Sequence, residues 1–464
     1  MMKEFSKEQK RLFEDFSQSM ASRPISVDKY DRFNVKRGLR NSNGTGVLVG
    51  LTRVGEVFSY YMDDGERLPV EGHLYYNGIA LRDLVLGFYE DKRFGYEETA
   101  YLLLFGELPD RDQLVNFEKV LADNRTLPAN FIEDMIFKSP SADIMNKLAR
   151  TVLSLYPYDQ NPDDTSVNNV LRQSIELIAK FPLLISYAYM AKRHYIDQES
   201  LYIHSPKPEY NTAQNILHLI RSDGMFTELE AQILDLALVV HAEHGGGNNS
   251  TFTTRCVTST GTDTYSAITA GICSLKGPQH GGASGKAYAM MQDLKSSVKN
   301  WRNEMEIADY LQSVLKKEAF DRSGLVYGIG HAVYTLSDPR ARLLRDYARA
   351  LAYESGREDE YLLYTTTERM APEVFQSFKK SDKLVCANVD FYSGFIYDML
   401  GIPPEMFTPI FAAARISGWC AHRLEELISS GRIIRPAYKN VMKRRKYKKI
   451  DQRMRHTLVS DEDN

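Results

Sequence analysis

Apolar side chains recur at helical spacing along most of the chain. Ile144, Leu148, Val152 and Leu155 follow one another at intervals of four, four and three residues, which predicts a helix with one buried face. A longer run over 404–430 predicts a further long helix. These spacings indicate a mainly α-helical protein.

Start and stop signals place several of these helices. Thr227 and Glu230 form a capping box ahead of an apolar run, so a helix should begin there. The apolar helix predicted over 96–104 should end at Gly106, because glycine adopts the left-handed conformation that closes many helices. A later helix rich in Ala, Ser and Gly should stop at Gly277, which precedes a proline.

Strand signals are confined to one stretch. Residues 46–66 contain short β-branched runs between glycines and predict a small hairpin, and we expect the chain after residue 66 to be helical. Residues 1–45 predict an amphipathic entry helix followed by a polar linker. The apolar positions of that entry helix are Phe5, Leu12, Phe13 and Phe16.

The composition is that of an ordinary globular protein. Of 464 residues, 43% are hydrophobic and 26% are charged, which excludes a disordered chain, and no apolar run reaches the length of a membrane span. The length predicts two domains. The net charge of -3 gives no general attraction to nucleic acid or to an anionic membrane, so an anionic ligand must be bound by local arginines.

The cysteines and the N-terminus predict a cytoplasmic protein. Cys256, Cys273, Cys386 and Cys420 lie far apart without a C-x-x-C pair, which favours reduced thiols over a zinc site or a disulfide framework. The first residues include acidic side chains and lack a continuous apolar segment, which argues against secretory and mitochondrial targeting.

Three segments place a histidine beside glycines. They are HAEHGGGN at 241–248, GPQHGGAS at 277–284 and GLVYGIGHAVYTLSDPR at 324–340. Glycine lets the backbone turn sharply and leaves room for a ligand beside a neighbouring side chain. One such histidine alone is more often a hydrogen-bonded turn residue, but three in one chain indicate a binding cleft.

Charged residues in apolar surroundings add to this cleft. Asp390 stands among apolar and aromatic neighbours, so its pKa should rise toward the range useful for a general base, although a turn or N-cap aspartate gives the same pattern. Arg340, Arg415 and Arg435 are suited to bidentate recognition of a carboxylate, and each taken singly is also compatible with a surface salt bridge.

The three histidine segments and NVDFYSG at 388–394, in this order, resemble the active-site signature of the citrate synthase family. The resemblance covers most of residues 46–436. It implies that His280, His331 and Asp390 form a catalytic trio. It also implies a mainly α-helical homodimer that condenses acetyl-CoA with oxaloacetate and hydrolyses citryl-CoA to citrate and CoA.

The family fold has a large domain and a smaller helical domain that closes over the site. The resemblance places the large domain at residues 1–280 and 400–464 and the small domain at 281–399. No metal and no bound cofactor are expected, since acetyl-CoA is a substrate. The resemblance implies a transferase of the tricarboxylic acid cycle. The cysteines, the N-terminus and the net charge add the expectation of a cytoplasmic location without nucleic-acid or membrane partners.

Four further residues match family positions that bind oxaloacetate. His244 matches the family's substrate-binding histidine in H-A-D-H-E, where Glu243 here replaces the commoner aspartate. Arg340 and Arg415 match arginines that bind the substrate carboxylates. Arg435 matches an arginine supplied across the dimer interface.

The resemblance also implies how the trio divides the chemistry. Asp390 would remove a methyl proton from acetyl-CoA while His280 donates a hydrogen bond to the thioester oxygen, and His331 would polarise the oxaloacetate ketone. Thr335 stands where many relatives carry a basic residue near the CoA phosphates. Lys286 or a basic residue of the C-terminal segment could supply that charge.

Three alternatives remain open from the sequence. A 2-methylcitrate synthase, or an enzyme with both activities, would differ only in using propionyl-CoA, which is one methylene larger. A metal hydrolase would use His241, His244 and Glu243, but these lack the H-E-x-x-H spacing. A nucleic-acid-binding role rests only on the basic run KRRKYKK at 443–449, which is more often a solvated tail.

Overall fold

The computed structural model describes residues 5–453, except residues 23, 42, 65, 381–383 and 430. The chain divides into two compact units. One comprises Met1–Val49 and Arg435–Asn464, and the other comprises Gly50–Ile434. The large and small domains predicted from the sequence are a different partition, and that partition stays a prediction.

The terminal unit contains two helices, α1 (Lys7–Ala21) and α2 (Val27–Arg32), and short 3-10 turns at Arg37–Leu39 and Ile450–Gln452. The predicted entry helix is confirmed. It begins with a capping box in which the Ser6 side chain accepts from the amide of Gln9. None of the residues of α1 is buried, so the helix exposes the apolar positions that predicted it.

A three-stranded antiparallel sheet begins the larger unit. Its strands are β1 (Gly55–Asp63), β2 (Glu66–Tyr76) and β3 (Ile79–Ala80), in the order β1-β2-β3. The stretch predicted as a hairpin, residues 46–66, contains one strand, β1, whose partner β2 lies almost wholly after it. The strand signal is therefore confirmed, but the bounds of the hairpin and the expectation that everything after residue 66 is helical are wrong. The first residues of β2 are polar and include a proline, so they do not show the alternation of apolar and polar residues that predicts a strand. Backbone pairing with β1 stabilises this strand.

The remainder of the larger unit is helical. Its helices are α3 (Leu81–Glu90), α4 (Tyr96–Phe105), α5 (Arg111–Asp123), α6 (Ile144–Leu153), α7 (Val167–Tyr195), α8 (Thr212–Ile220), α9 (Glu228–His241), α10 (Asn249–Thr258), α11 (Thr264–Leu275), α12 (Ala283–Ser297), α13 (Glu304–Leu315), α14 (Pro339–Glu354), α15 (Glu358–Lys379), α16 (Val389–Met399) and α17 (Phe407–Ser429). Short 3-10 turns at Tyr156–Tyr158 and Pro404–Met406 and a π-helical turn at Ile132–Phe137 complete it.

The local signals place correctly those of these helices that the sequence predicted. Gly106 ends α4 in the left-handed conformation with φ 84°. The capping box of Thr227 and Glu230 opens α9 with both reciprocal hydrogen bonds. The predicted helix over 404–430 begins as a 3-10 turn and continues as α17, whose last predicted residue, Ser430, lies outside the described residues.

Helix α17 runs through the core of the larger unit. It packs against α7, α10, α4 and α9, and its Trp419 is fully buried. Among the described residues, one helix, α7, has the length and apolar composition of a membrane span, and 83% of its most apolar window is buried inside the protein.

The packing of the later helices brings the candidate site together. Helix α14 packs against α16 and α9, and α16 packs against α12 and α17. The end of α9, the turn before α12, the loop before α14 and the first turn of α16 therefore converge beside the middle of α17.

Candidate active site

His244 follows the C-terminal end of α9. The chain turns at Gly245, whose φ of 80° is a conformation that favours glycine. Burial lowers the pKa of His244 well below its usual value, and the nearby cations Arg340 and Arg415 lower it further. His244 is therefore an uncharged ring in a cationic pocket.

His331 lies in the loop that precedes α14, and this loop is tied to the start of α16. Gly330 donates its amide to the carbonyl of Cys386 at 2.7 Å, and the side chain of Asn388 donates to the Gly330 carbonyl at 2.8 Å. Since Asn388 is also the N-cap of α16, one set of hydrogen bonds fixes both His331 and Asp390.

The hydrogen bonds of His331 determine where its proton lies. The backbone amides of Val333 and Tyr334 donate to Nδ1 at 3.0 and 3.1 Å, so Nδ1 must accept and Nε2 carries the proton. Nε2 of His331 lies 3.2 Å from Nε2 of His244. The two predicted oxaloacetate ligands thus share a hydrogen bond, with His331 as donor.

The sheet holds the same loop from its other side. Ser59 of β1 and Arg67 of β2 both donate to the carbonyl of Val333, at 2.7 and 3.0 Å. The amide of Gly72 donates to the hydroxyl of Ser337 at 3.1 Å. The strand that the sequence did not predict is therefore part of the support of the site.

His280 lies in the turn between α11 and α12, and its partner is Ser250 of α10. Nε2 of His280 accepts from the Ser250 amide at 3.4 Å and lies 3.0 Å from the Ser250 hydroxyl oxygen, which accepts from Trp419 at 3.2 Å. Since an amide only donates, the proton of His280 lies on Nδ1. Burial, with Arg415 adding to it, lowers the pKa of His280 to about 4.

Asp390 lies in the first turn of α16, after the N-cap Asn388, whose side chain accepts from the Asp390 amide at 3.0 Å. The residue as a whole is partly exposed, yet Oδ1 is buried without a hydrogen-bond partner among the described residues. Burial raises the pKa of Asp390 to about 7; Asp338 also raises it, while Arg340 and Arg415 act in the opposite direction. An unpartnered carboxyl with this pKa is suited to proton transfer.

Arg340 and Arg415, the two predicted arginines that lie in the larger unit, have different partners. Arg340 and Asp338 are both buried and form a bidentate pair, with Nε to Oδ1 at 3.0 Å and Nη2 to Oδ2 at 2.7 Å. Arg415 is fully buried, and among the described residues it donates only to oxygens that carry no full charge, from Nε to the His241 carbonyl at 2.6 Å and from Nη1 to Asn248 at 3.3 Å.

The Nη2 of Arg415 has no hydrogen-bond partner among the described residues. Burial lowers the pKa of Arg415 to about 10, although Glu243 acts in the opposite direction. An anion bound at this position would supply the hydrogen-bond acceptor that this guanidinium lacks among the described residues.

Six of the seven predicted residues therefore belong to one cluster in the larger unit. His244, His280, His331, Asp390 and the two arginines are joined by the contacts and electrostatic effects given above. Arg435 lies in the terminal unit and is exposed, so its contribution to a site stays a prediction.

Sequence reasoning missed Ser250, Asn248 and Asp338. Ser250 and Asn248 belong to the polar run that follows the glycines after His244, and Asp338 is the N-cap of α14. A polar residue at the start of a helix is usually only a cap, so no local signal distinguished these residues as parts of the site.

The metal-hydrolase alternative gains no support from the geometry. Nδ1 of His241 lies 2.7 Å from the Ala237 carbonyl of its own helix, and the described residues contain no group of three or more potential metal ligands. Burial lowers the pKa of His241 to about 3, as for a buried histidine within a helix.

A cavity of about 520 Å³ lies next to the turn of His280, at the start of α12. Its lining comprises Gly282, Gly285, Lys286, Ala289, Phe320 and Asp321. The ammonium group of Lys286 lies 3.2 Å from the Asp321 carboxylate, whereas the buried Thr335 hydroxyl has no partner among the described residues. Phosphate contacts of CoA through Lys286 stay a prediction.

Comparison with known proteins gives a consistent result. The family model described as "Citrate synthase, C-terminal domain" matches residues 43–437. The chain is 33% identical over 371 residues to a citrate synthase of Deinococcus radiodurans, covering 79% of this chain and 89% of that protein. It is 31% identical over 364 residues to a 2-methylcitrate synthase of Shewanella oneidensis, covering 78% and 87%.

A solved structure shares the fold. The crystal structure of citrate synthase from Thermotoga maritima matches with a TM-score of 0.70 at 26% identity, covering 90% of this chain and 99% of that chain.

Replacing Asp390 by asparagine should change how stability depends on pH. The folded pKa of about 7 lies above the unfolded value of 3.8, so wild-type stability falls as pH rises between these values. Because asparagine does not titrate, the stability of Asp390→Asn relative to wild type should be about 2 to 3 kcal/mol greater at pH 8 than at pH 5. Chemical unfolding of the ligand-free protein at one fixed concentration measures this difference. A difference that does not change with pH contradicts the raised pKa.

Proposed function

Because the chain belongs to the citrate synthase family, we propose that it condenses acetyl-CoA with oxaloacetate and hydrolyses the resulting thioester to release citrate and CoA. The observation that carries this proposal is the Asp390 carboxyl, which has a pKa of about 7 and a buried, unpartnered oxygen. It lies in one cluster with two histidines whose protons are placed for donation.

The first step is removal of a methyl proton from acetyl-CoA. Asp390 takes that proton, and the Nδ1–H of His280 donates to the thioester oxygen as negative charge develops there. Ser250 holds Nε2 of the ring, so Nδ1 is the atom that is free to donate. One donor of this kind contributes about 3 to 4 kcal/mol of transition-state stabilisation.

The second step is attack of the resulting enolate on the ketone of oxaloacetate. The Nε2–H of His331 donates to the ketone oxygen, which replaces His244 as its acceptor when the substrate binds. Arg340 and Arg415 bind the substrate carboxylates. For Arg415, this supplies the hydrogen-bond acceptors that its buried guanidinium lacks.

Several finer assignments belong to the same proposal. The enzyme works as a homodimer in which Arg435 binds oxaloacetate in the neighbouring subunit, and domain closure excludes water until citryl-CoA has formed. Histidine donors and arginines perform the electrophilic role without a bound cofactor. A cytoplasmic location and a place in the tricarboxylic acid cycle complete the proposal, with no nucleic-acid or membrane partner.

A 2-methylcitrate synthase is the second candidate, because relatives with that name match almost as well as the citrate synthases. The two substrates differ by one methylene, which is worth about 1 to 3 kcal/mol in a shaped pocket. Acyl pockets rather than the shared catalytic trio therefore distinguish the two activities.

The kcat/KM for acetyl-CoA should exceed that for propionyl-CoA by roughly 10-fold or more. Thiol release with oxaloacetate present measures both values, and mass spectrometry of the product distinguishes citrate from 2-methylcitrate. A preference for propionyl-CoA identifies the enzyme as a 2-methylcitrate synthase. Release of thiol without citrate or 2-methylcitrate excludes both candidate functions.

His331→Ala and His280→Ala should separate the two steps. His331→Ala should abolish the shift of the bound oxaloacetate carbonyl to low frequency in infrared spectra, because the ketone loses its donor. His280→Ala should keep that shift but stop exchange of the acetyl-CoA methyl hydrogens, measured with a non-reacting oxaloacetate analogue. An unchanged shift in the first variant, or exchange at the wild-type rate in the second, assigns the role to another group.

Arg435→Ala subunits mixed with Asp390→Asn subunits test the dimer. Each variant alone should be nearly inactive, with losses of at least 100-fold for the missing base. In a mixed dimer, one site combines an intact Asp390 with an intact Arg435 of the partner, so activity should return toward half of the wild-type value. Mass spectrometry confirms subunit exchange. Exchange without recovery shows that Arg435 does not act across the interface.

A further inference from the structure

Glu243 is a fully buried carboxylate directly before His244. Its Oε1 accepts from the amide of Gly245 at 2.5 Å and lies 3.0 Å from Nε2 of His422 on α17. The Gly245 amide belongs to the turn that leads the chain away from His244. The carboxylate therefore holds this turn from inside the protein.

The hydrogen bonds around His422 run in one direction. The guanidinium of Arg255, on α10, lies 2.9 Å from Nδ1 of His422. Arginine can only donate, so Nδ1 accepts and the proton lies on Nε2, from which His422 donates to Glu243. Each group in this series is thus oriented by the one before it.

Two carboxylates anchor the far end of the series. Arg255 contacts Glu425 at 2.6 Å and Glu426 at 2.8 Å. Glu425 in turn accepts from the backbone amide of Arg53 at 2.7 Å. The series therefore extends from the segment before β1, through α10 and α17, to the turn after His244.

The space around Glu243 is shaped for this side chain. A Cβ atom on Gly55 would lie 2.8 Å from the Cγ of Glu243, and one on Gly418 would lie 2.5 Å from Oε2. Glycines at these two places leave room for the carboxylate. Burial alone would raise the pKa of Glu243, but His422 and Arg415 lower it further than burial raises it, so the group is ionised.

We propose that Glu243, His422 and Arg255 form a positioning relay for the oxaloacetate subsite. The relay fixes the turn that presents His244 to His331, and the Glu243 carboxylate is the counter-charge behind Arg415. None of the three residues touches the reacting atoms. The inference rests on the proposed function, because it concerns the residues assigned there to oxaloacetate.

Glu243→Gln tests the carboxylate, because the amide keeps its size but loses its charge and one acceptor. The KM for oxaloacetate should rise at least 10-fold, whereas the KM for acetyl-CoA at saturating oxaloacetate should stay within about twofold. Glu97→Gln is the matched control, since Glu97 is similarly buried and accepts from the Thr212 amide, outside the relay. That control should leave both KM values unchanged.

His422 allows the direction of the relay to be tested by a conservative rescue. His422→Gln keeps an N–H that can donate to Glu243, so its KM for oxaloacetate should stay within about threefold of wild type. His422→Phe removes the donor and should raise that KM at least 10-fold. If Glu243→Gln does not fold, this pair decides the proposal.

Calorimetric titration with oxaloacetate alone separates this proposal from the proposed function. Weaker oxaloacetate binding in Glu243→Gln and His422→Phe, with normal binding in Glu97→Gln and His422→Gln, supports the relay. A wild type that binds oxaloacetate but forms no citrate or 2-methylcitrate overturns the proposed function and leaves the relay standing. Equal rises of both KM values, or unchanged oxaloacetate binding in His422→Phe, overturns the relay.

Discussion

A buried guanidinium without a carboxylate partner constrains the whole site. Arg415 is fully buried in the middle of α17, and within the described part of the chain its hydrogen bonds go only to a carbonyl and an amide oxygen. Such a cation costs several kcal/mol unless a negative charge compensates it. The negative charge of Glu243 supplies part of this compensation, and a dianionic substrate would supply the rest. The fold therefore gives up stability at the position where we propose that an anion binds.

The second constraint is the placement of protons on histidine rings. At His331 two backbone amides occupy Nδ1, and at His280 the amide of Ser250 occupies Nε2. Because a backbone amide can only donate, each ring carries its proton on the other nitrogen. That N–H is available to donate to a different partner. The donors are set by backbone geometry before any substrate binds, which is what electrostatic preorganisation requires.

The third constraint is that the proposed catalytic side chains lie at helix ends and in loops, which need support. The loop of His331 is bonded on one side to the start of α16 and on the other to the sheet. The turn after His244 is held by Glu243, and the turn of His280 by α10. Each of these histidines therefore lies close to a helix terminus, where neighbouring glycines permit the turn. Hydrogen bonds from buried groups hold the turn rigid, which glycine alone would not do.

The sequence alone determined the features that depend on neighbours a few residues apart. Capping boxes, the left-handed Gly106 and helical spacing act within one or two turns, so they located α1, α4, α6, α9, α11 and α17 and several of their ends. The histidines beside glycines, Asp390 and two of the arginines in apolar surroundings are the six predicted residues that the structure gathers into one cluster. Strand β2 escaped prediction, because its stability comes from pairing with β1 rather than from its own pattern.

Only the tertiary structure decided how these groups act. The proton position on His280 depends on Ser250, 30 residues earlier, and the anchoring of Glu243 depends on His422, 179 residues later. The raised pKa of Asp390 results from burial among helices that meet only in the folded chain. Hydrogen bonds and desolvation act over a few ångströms, so a sequence shows which groups are present, and the fold sets their distances, charges and proton positions.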